Sequence, residues 1–154
     1  MRSAGILLWR RRSGGDVEVL IAHMGGPYWT GKDEAAWSVP KGEYGEDEQA
    51  IDAAVREFQE ELGLPLPVAV DSLQLLGEVR QRSGKRLTVW AAEGDLDPDH
   101  VVPGMFTMPW PPRSGRLAEF PEIDRVEWCA LGVASKRLVI GQREFLTRLQ
   151  DVVS

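Results

Sequence analysis

Gly42-Glu-Tyr-Gly-Glu-Asp-Glu48-Gln-Ala-Ile-Asp-Ala-Ala-Val-Arg56-Glu57-Phe58-Gln59-Glu60-Glu61-Leu62-Gly63-Leu64 is the stretch on which the reading of this chain turns. From Asp47 onward, Ile51, Ala54, Val55, Phe58 and Leu62 recur at the three- and four-residue spacing of one helix face. Gly63 stands where a left-handed residue ends a helix, with Pro65 just beyond it. At about 100° per residue, Glu57, Glu60 and Glu61 collect on another side as neighbours. Like charges so placed destabilise an isolated helix by roughly a few tenths of a kcal/mol per pair, so something must compensate. A hard divalent cation held through carboxylate oxygens would do so, with room for two ions. A solvated acidic face in which Arg56 pairs with Glu60 is the competing explanation, and helix geometry alone does not separate the two.

The same residues resemble the Nudix box. Its pattern is a glycine, five residues, a glutamate, seven residues, Arg-Glu, a bulky apolar residue, any residue, Glu-Glu, any residue, glycine and an apolar residue. Gly42, Glu48, Arg56, Glu57, Glu60, Glu61 and Gly63 fill the seven specified positions. At a background frequency of about 0.07 each, chance agreement at one start is on the order of 10⁻⁸. Phe58 replaces the usual aliphatic residue and keeps the face apolar.

The resemblance implies an α/β fold, the Nudix α/β/α sandwich with a mixed central sheet. It also implies metal-dependent cleavage of a phosphate–phosphate bond in a nucleoside diphosphate linked to another moiety. By the same resemblance Glu57, Glu60 and Glu61 would bind Mg2+ or Mn2+, and the Gly42 carbonyl oxygen would join them. Arg56 would orient a catalytic glutamate and Glu48 would brace the helix through a salt bridge. Glu60 or Glu61 would be the general base, unless the base lies in a later loop. There Glu122 is the first candidate and Glu119 the second, each also readable as a solvated loop carboxylate. A polyphosphate repels an attacking hydroxide, so such chemistry needs cations to neutralise it and a carboxylate to take the proton.

Just upstream, Trp37-Ser-Val-Pro-Lys41-Gly42 is similar to the Trp-x-x-Pro-Lys-Gly lead-in of Nudix enzymes acting on diadenosine and diphosphoinositol polyphosphates. Lys41 is therefore a candidate phosphate contact. The stretch Trp110–Glu122 resembles a feature of a bacterial Nudix group described as nucleoside triphosphate pyrophosphohydrolases. It reads as an irregular, proline-stiffened loop that would close over the site, with Arg113 and Arg116 as further phosphate contacts. Tyr28, Trp29 and Trp37 would stack on a base or, as aromatics beside a strand commonly do, pack in the core.

Farther out, Ala4–Trp9 and Val17–His23 read as a hairpin around Ser13-Gly14-Gly15. Gly25–Lys32 is a glycine-rich loop, Trp37-Ser38-Val39 a short strand, and Lys41–Gly45 a loop. Leu73–Arg80 and Leu87–Glu93 pair around Ser83-Gly84, and Asp95–Asp99 is a polar turn. Met105–Met108 and Arg125–Cys129 are strands, and Ala130–Val139 and Gln142–Val153 are helices. With 154 residues a single domain spanning 1–154 is expected.

A net charge of −6 argues against nonspecific nucleic-acid binding as the main task, yet carboxylates are what hold cations for a phosphate substrate. The expected partner is a small nucleoside polyphosphate. No apolar run approaches the roughly 18 residues of a membrane span, and Arg10-Arg11-Arg12 follow the first apolar stretch, the reverse of a secretory signal. A cytoplasmic location is the resulting expectation. Cys129 is the only cysteine, which excludes an internal disulfide and reads as core packing. His23 reads as a strand residue, and His100 has no second histidine nearby. Oligomeric state is left open, including a homo-oligomer. The alternative to an enzyme is a non-catalytic Nudix-fold nucleotide-binding domain, although such domains usually lose box glutamates and this chain keeps them all. No feature speaks for a purely structural protein.

Overall fold

Alternation of side chains along the first two strands sets the architecture. In the computed structural model, which describes residues 2–153, β1 (Arg2–Arg11) and β2 (Val17–Met24) are almost wholly buried, as strands covered on both faces must be. Ile6, Leu8 and Leu20 point to one face and Leu7, Val19 and Ile21 to the other, each set joining a different apolar cluster. The two faces are covered by different helices. α1 (Ala50–Leu62) supplies Ala53, Ala54, Phe58 and Leu62 to one cluster. Ala134 of α2 (Leu131–Arg137) and Phe145, Leu146 and Leu149 of α3 (Glu144–Val153) enter the other.

Between these layers runs a mixed sheet in the order β3-β2-β1-β6-β5, where β3 is Trp37–Ser38, β5 Gln74–Arg80 and β6 Arg86–Glu93. β6 lies parallel to β1, while β1–β2, β2–β3 and β5–β6 are antiparallel. β4 (Lys41–Tyr44) also pairs with β1, and β9 (Ile123–Ala130) with β2. The α/β/α sandwich expected from the sequence is the observed fold.

Three local expectations need correction. Lys41–Gly45 is not simply a loop: Lys41, Gly42, Glu43 and Tyr44 pair with Gly5, Ala4, Ser3 and Arg2. The sequence hides this because the segment pairs through its backbone and its side chains show no apolar alternation. Trp110–Glu122 is not one irregular loop either. β7 (Met105–Pro109) and β8 (Leu117–Pro121) form a separate two-stranded antiparallel sheet, and only the tip between them is a turn. Pro109 and Pro121 sit at strand ends, where an edge strand tolerates proline. Finally, the helix face is shifted. Ala53 and Ala54 are fully buried, whereas Ile51 and Val55 are half-buried, since the small residues let α1 approach the sheet.

The turns behave as read. Gly63 caps α1 with φ 66°, and its N–H donates to the Gln59 carbonyl. A short 3-10 turn at Pro98–His100 occupies the polar segment, with the Asp97 side chain accepting from the Asp99 N–H. Residues 1 and 154 of the expected domain span lie outside the described residues. Among the described residues no helix is long and apolar enough to cross a membrane.

Candidate active site

The end of the sheet carrying β4 is where the acidic helix meets the rest of the chain. α1 lies over β4 so closely that a Cβ on Gly42 would overlap the Glu57 carboxyl group. Glycine at this box position thus leaves the space in which the Glu57 carboxyl rests against β4, and a side chain there would displace it.

Arg56 organises the exposed side of the helix. Its Nε donates to Glu48 Oε2 and its Nη2 to Glu48 Oε1, both at 2.8 Å, a two-pronged carboxylate grip. Nη1 donates to Glu57 Oε1 at 2.8 Å and to Glu60 Oε2 at 3.1 Å. The pairing of Arg56 with Glu60 is therefore real but is the longest of these bonds. The hydrogen bond to Glu48 raises the Arg56 pKa and holds the Glu48 carboxyl below its usual range. No side chain caps the start of α1 at Gln49, so this pair ties the approach to the helix in place of a cap.

Glu61 differs from its neighbours. Although its spacing sets it apart from the apolar face of α1, it is only 8% exposed and turns into a cavity of about 270 Å³. Lys41 and Glu122 line that cavity with it, and Met24, Trp29 and Phe106 supply apolar walls. Burial pushes the Glu61 carboxyl up to about 8; the charges of Glu122 and Glu57 add to the effect, and Lys41 opposes it. Burial also raises Glu57, against the pull of Arg56.

Glu122 reaches the cavity because its backbone is pinned on both sides. Its N–H donates to the Gly104 carbonyl at 2.8 Å, and its own carbonyl accepts from the Gly25 N–H at 3.0 Å. Gly25 permits this approach, since a Cβ there would overlap the Pro121 carbonyl oxygen. Glu119, the other loop candidate, is exposed on β8 and is not part of the lining. Arg113 and Arg116 lie at the exposed tip of the β7–β8 hairpin, and the structure does not bring them to the cavity.

Among the described residues no three carboxylate, imidazole or thiol groups form a ready cation cage, and Arg56 holds one oxygen each of Glu57 and Glu60. The donor chemistry nevertheless fits a hard divalent cation. Glu57, Glu61 and Glu122 bring carboxylate oxygens to one place: burial is the main cause that raises the Glu57 and Glu61 carboxyls, and the charge of Glu122 adds to it in both.

Two features had no sequence signal. Phe106 was legible only as a strand residue. Gln142, 1% exposed, accepts from the Val39 N–H at 2.8 Å and donates to Ser38 Oγ at 3.0 Å, fixing the backbone just before Lys41 from the far end of the chain. The aromatics divide three ways: Trp37 is fully buried, Trp29 is half-buried, and Tyr28 is exposed with its ring edge on Trp110. His23 is buried in β2. Its Nδ1 lies 2.9 Å from Asp124 Oδ2 and its Nε2 lies 2.6 Å from the Lys32 carbonyl oxygen, an arrangement that ties the glycine-rich loop to β9. Cys129 is buried, as core packing requires.

A larger groove, about 950 Å³, lies between Arg10, Asp95 and Trp128. There Arg10 pairs with Glu18 and Asp95 and lies over the Trp128 ring, and Arg125 pairs with Glu127. Size alone therefore does not mark the site; the smaller cavity, where buried Glu61 meets Glu122 and Lys41, does.

The chain is similar to several known proteins. The family model described as NUDIX domain matches residues 1–149. The mRNA-decapping enzyme subunit 2 of Saccharomyces cerevisiae is 29% identical over 108 residues, which is 70% of this chain and 10% of that protein. This chain thus spans about a tenth of the length of the curated relatives it matches. Among solved structures, a Caenorhabditis elegans Ap4A hydrolase binary complex superposes with a TM-score of 0.66 at 21% identity, covering 99% of this chain and 96% of that one. The NUDIX domain of Shewanella oneidensis NrtR complexed with ADP ribose gives 0.64 at 12% identity, covering 100% and 88%. At these identities the structures speak for the fold, and the family match speaks for membership. With the complete box running from β4 through α1 to its glycine cap and the family model covering nearly all of its length, the chain belongs to the NUDIX domain family, the family of Nudix hydrolases.

Proposed function

We propose that this protein hydrolyses a phosphate–phosphate bond in a nucleoside diphosphate linked to another moiety, with dinucleoside polyphosphates as the first substrate class and nucleoside triphosphates as the second. The observation that carries the reading is the convergence of Glu61 from α1, Lys41 from β4 and Glu122 from the junction of β8 and β9 on one cavity. Glu57, Glu60 and Glu61, with the Gly42 carbonyl, would hold Mg2+ or Mn2+. Bound there, such an ion neutralises phosphate oxygens and makes water a better nucleophile at neutral pH.

The chain's own groups do the rest. Lys41 contacts the phosphate chain as a point charge. Arg56 acts through its neighbours, fixing Glu57 and Glu60 against α1 while Glu48 holds it in place. Glu122 accepts the proton released in the attack, since its backbone is clamped and its carboxylate faces the cavity. Glu60 or Glu61 takes that role if Glu122 does not. Arg113 and Arg116 are given no part, because the hairpin tip holds them away from the cavity lining.

The substrate order rests on the Trp-x-x-Pro-Lys-Gly resemblance and on the likeness in fold to an Ap4A hydrolase. Phosphate release in the presence of magnesium, followed across dinucleoside polyphosphates, nucleoside triphosphates and nucleotide sugars, tests it. Turnover of at least one class is expected. Tight nucleotide binding with no turnover of any would make the chain a nucleotide-binding domain instead.

A further inference from the structure

The cavity containing Glu61 measures about 270 Å³, below the roughly 300–1,000 Å³ of pockets that enclose a whole small-molecule ligand. A substrate whose reacting phosphates sit there must extend beyond it. One wall of this cavity, Trp29, is also a wall of a second cavity of about 520 Å³. That second cavity lies between the β5–β6 turn and the segment joining α2 to α3.

Its lining suits a flat, partly apolar group attached to an anion. Val139 and Ile140 give an apolar floor, and Ile140 is 67% exposed with nothing among the described residues covering it. Gln81, Arg82 and Ser83 form a polar rim. Arg82 makes no ion pair among the described residues, which leaves its guanidinium for an anion in the cavity. Lys32 adds positive charge on the other side, its Nζ 5.8 Å from the centre of the Trp29 ring. An exposed apolar floor beside a cation without a partner, one indole away from the carboxylate cavity, is what the distal half of an elongated substrate requires.

We propose that this second cavity is a subsite for the distal nucleoside of a dinucleoside polyphosphate, with Trp29 as the partition against which the base packs and Arg82 as a contact to the phosphate that carries that nucleoside. This rests on the hydrolase reading above and deepens it, because it makes the chain selective for two-ended substrates over triphosphates.

The test compares steady-state kinetics on a dinucleoside tetraphosphate and on the triphosphate of the same nucleoside, with magnesium. Wild type is set against Arg82→Ala, which removes the cation, and Ile140→Trp, which fills the cavity from an exposed position. Each variant is expected to raise KM for the tetraphosphate about tenfold or more, the scale of one lost charged hydrogen bond, with kcat kept. Triphosphate kinetics should stay at the wild-type values, which also reports an intact fold. Unchanged KM for the tetraphosphate in both variants, or equal losses on both substrates, would overturn the subsite while leaving the hydrolase reading in place. A wild-type protein inert toward both substrates would overturn the hydrolase reading and the subsite with it.

Discussion

Arg56 holds Glu48 through two parallel hydrogen bonds of 2.8 Å, leaving only Nη1 to reach Glu57 and Glu60. A planar guanidinium can serve three carboxylates in this way and an ammonium cannot. Arg56→Lys is therefore expected to lower kcat at least tenfold, because Glu57 and Glu60 lose a common brace, and to lower the thermal midpoint by a few degrees as the Glu48 tie weakens. Kinetics and thermal unfolding on the same preparation check this. Wild-type kcat in Arg56→Lys would mean that positive charge alone suffices there.

Glu61 gives a dependence of stability on pH. Its carboxyl sits at about 8 in the folded chain against an ordinary value of 4.5, so between those values the folded state binds the proton more tightly than the unfolded state. The stabilisation this proton gives is complete below the ordinary value and is lost as pH rises towards 8, on the order of a few kcal/mol. Metal-free protein should therefore lose stability over this window, and Glu61→Gln should flatten the loss. Magnesium should raise the thermal midpoint more at pH 8 than at pH 5, since an ion competes with the proton. Equal magnesium effects at both pH values would contradict the placement of a cation beside Glu61.

Lys41 stands between Pro40 and the β4 glycine, and its side chain lines the cavity with Glu61. Lys41→Ala is expected to raise KM more for longer phosphate chains than for triphosphates, which offer it fewer oxygens. Measured KM values across tri-, tetra- and pentaphosphate substrates decide this. Equal losses at every length would assign Lys41 to holding β4 instead.

Glu122 and Glu119 are close in sequence and differently placed, the first lining the cavity and the second exposed on β8. If Glu122 is the base, Glu122→Gln should reduce kcat by about 10²-fold or more and shift the acidic limb of the pH–rate profile, with Glu119→Gln near wild type. Activity that falls at low magnesium and partly returns at high magnesium would assign Glu122 to the cation instead. No change in kcat, pH dependence or magnesium dependence would move the base to Glu60 or Glu61.

How much of this was legible in the sequence depends on the kind of interaction involved. The helix, its glycine stop and the box glutamates were readable because periodicity and spacing are local. The burial of Glu61 was not, since α1 presents it to the cavity through the way Ala53, Ala54 and Phe58 seat the helix on the sheet. β4 was missed because Lys-Gly-Glu-Tyr pairs through its backbone and shows no apolar alternation. β8 was hidden by the density of proline and arginine around the hairpin tip, which reads as loop although Phe120 and Ala118 pair with Phe106 and Met108. Glu122 was reachable from resemblance, but the clamp from Gly25 and Gly104 that aims it joins residues distant in the chain. Gln142 shows the same limit: a lone glutamine ahead of a helix gives no sign that it holds Ser38 and Val39.

The central claim is that carboxylates on α1 hold a cation that the hydrolysis requires, and Glu61→Gln tests it most directly. The substitution keeps the shape of a buried side chain while removing its charge, so the fold should persist by circular dichroism. Magnesium-supported turnover of a dinucleoside tetraphosphate should fall by at least about 10²-fold, and adding Glu57→Gln or Glu60→Gln should cost far less than the product of the separate effects, because ligands of one centre act as a unit. Turnover at the wild-type rate by folded Glu61→Gln protein at saturating magnesium would contradict the account.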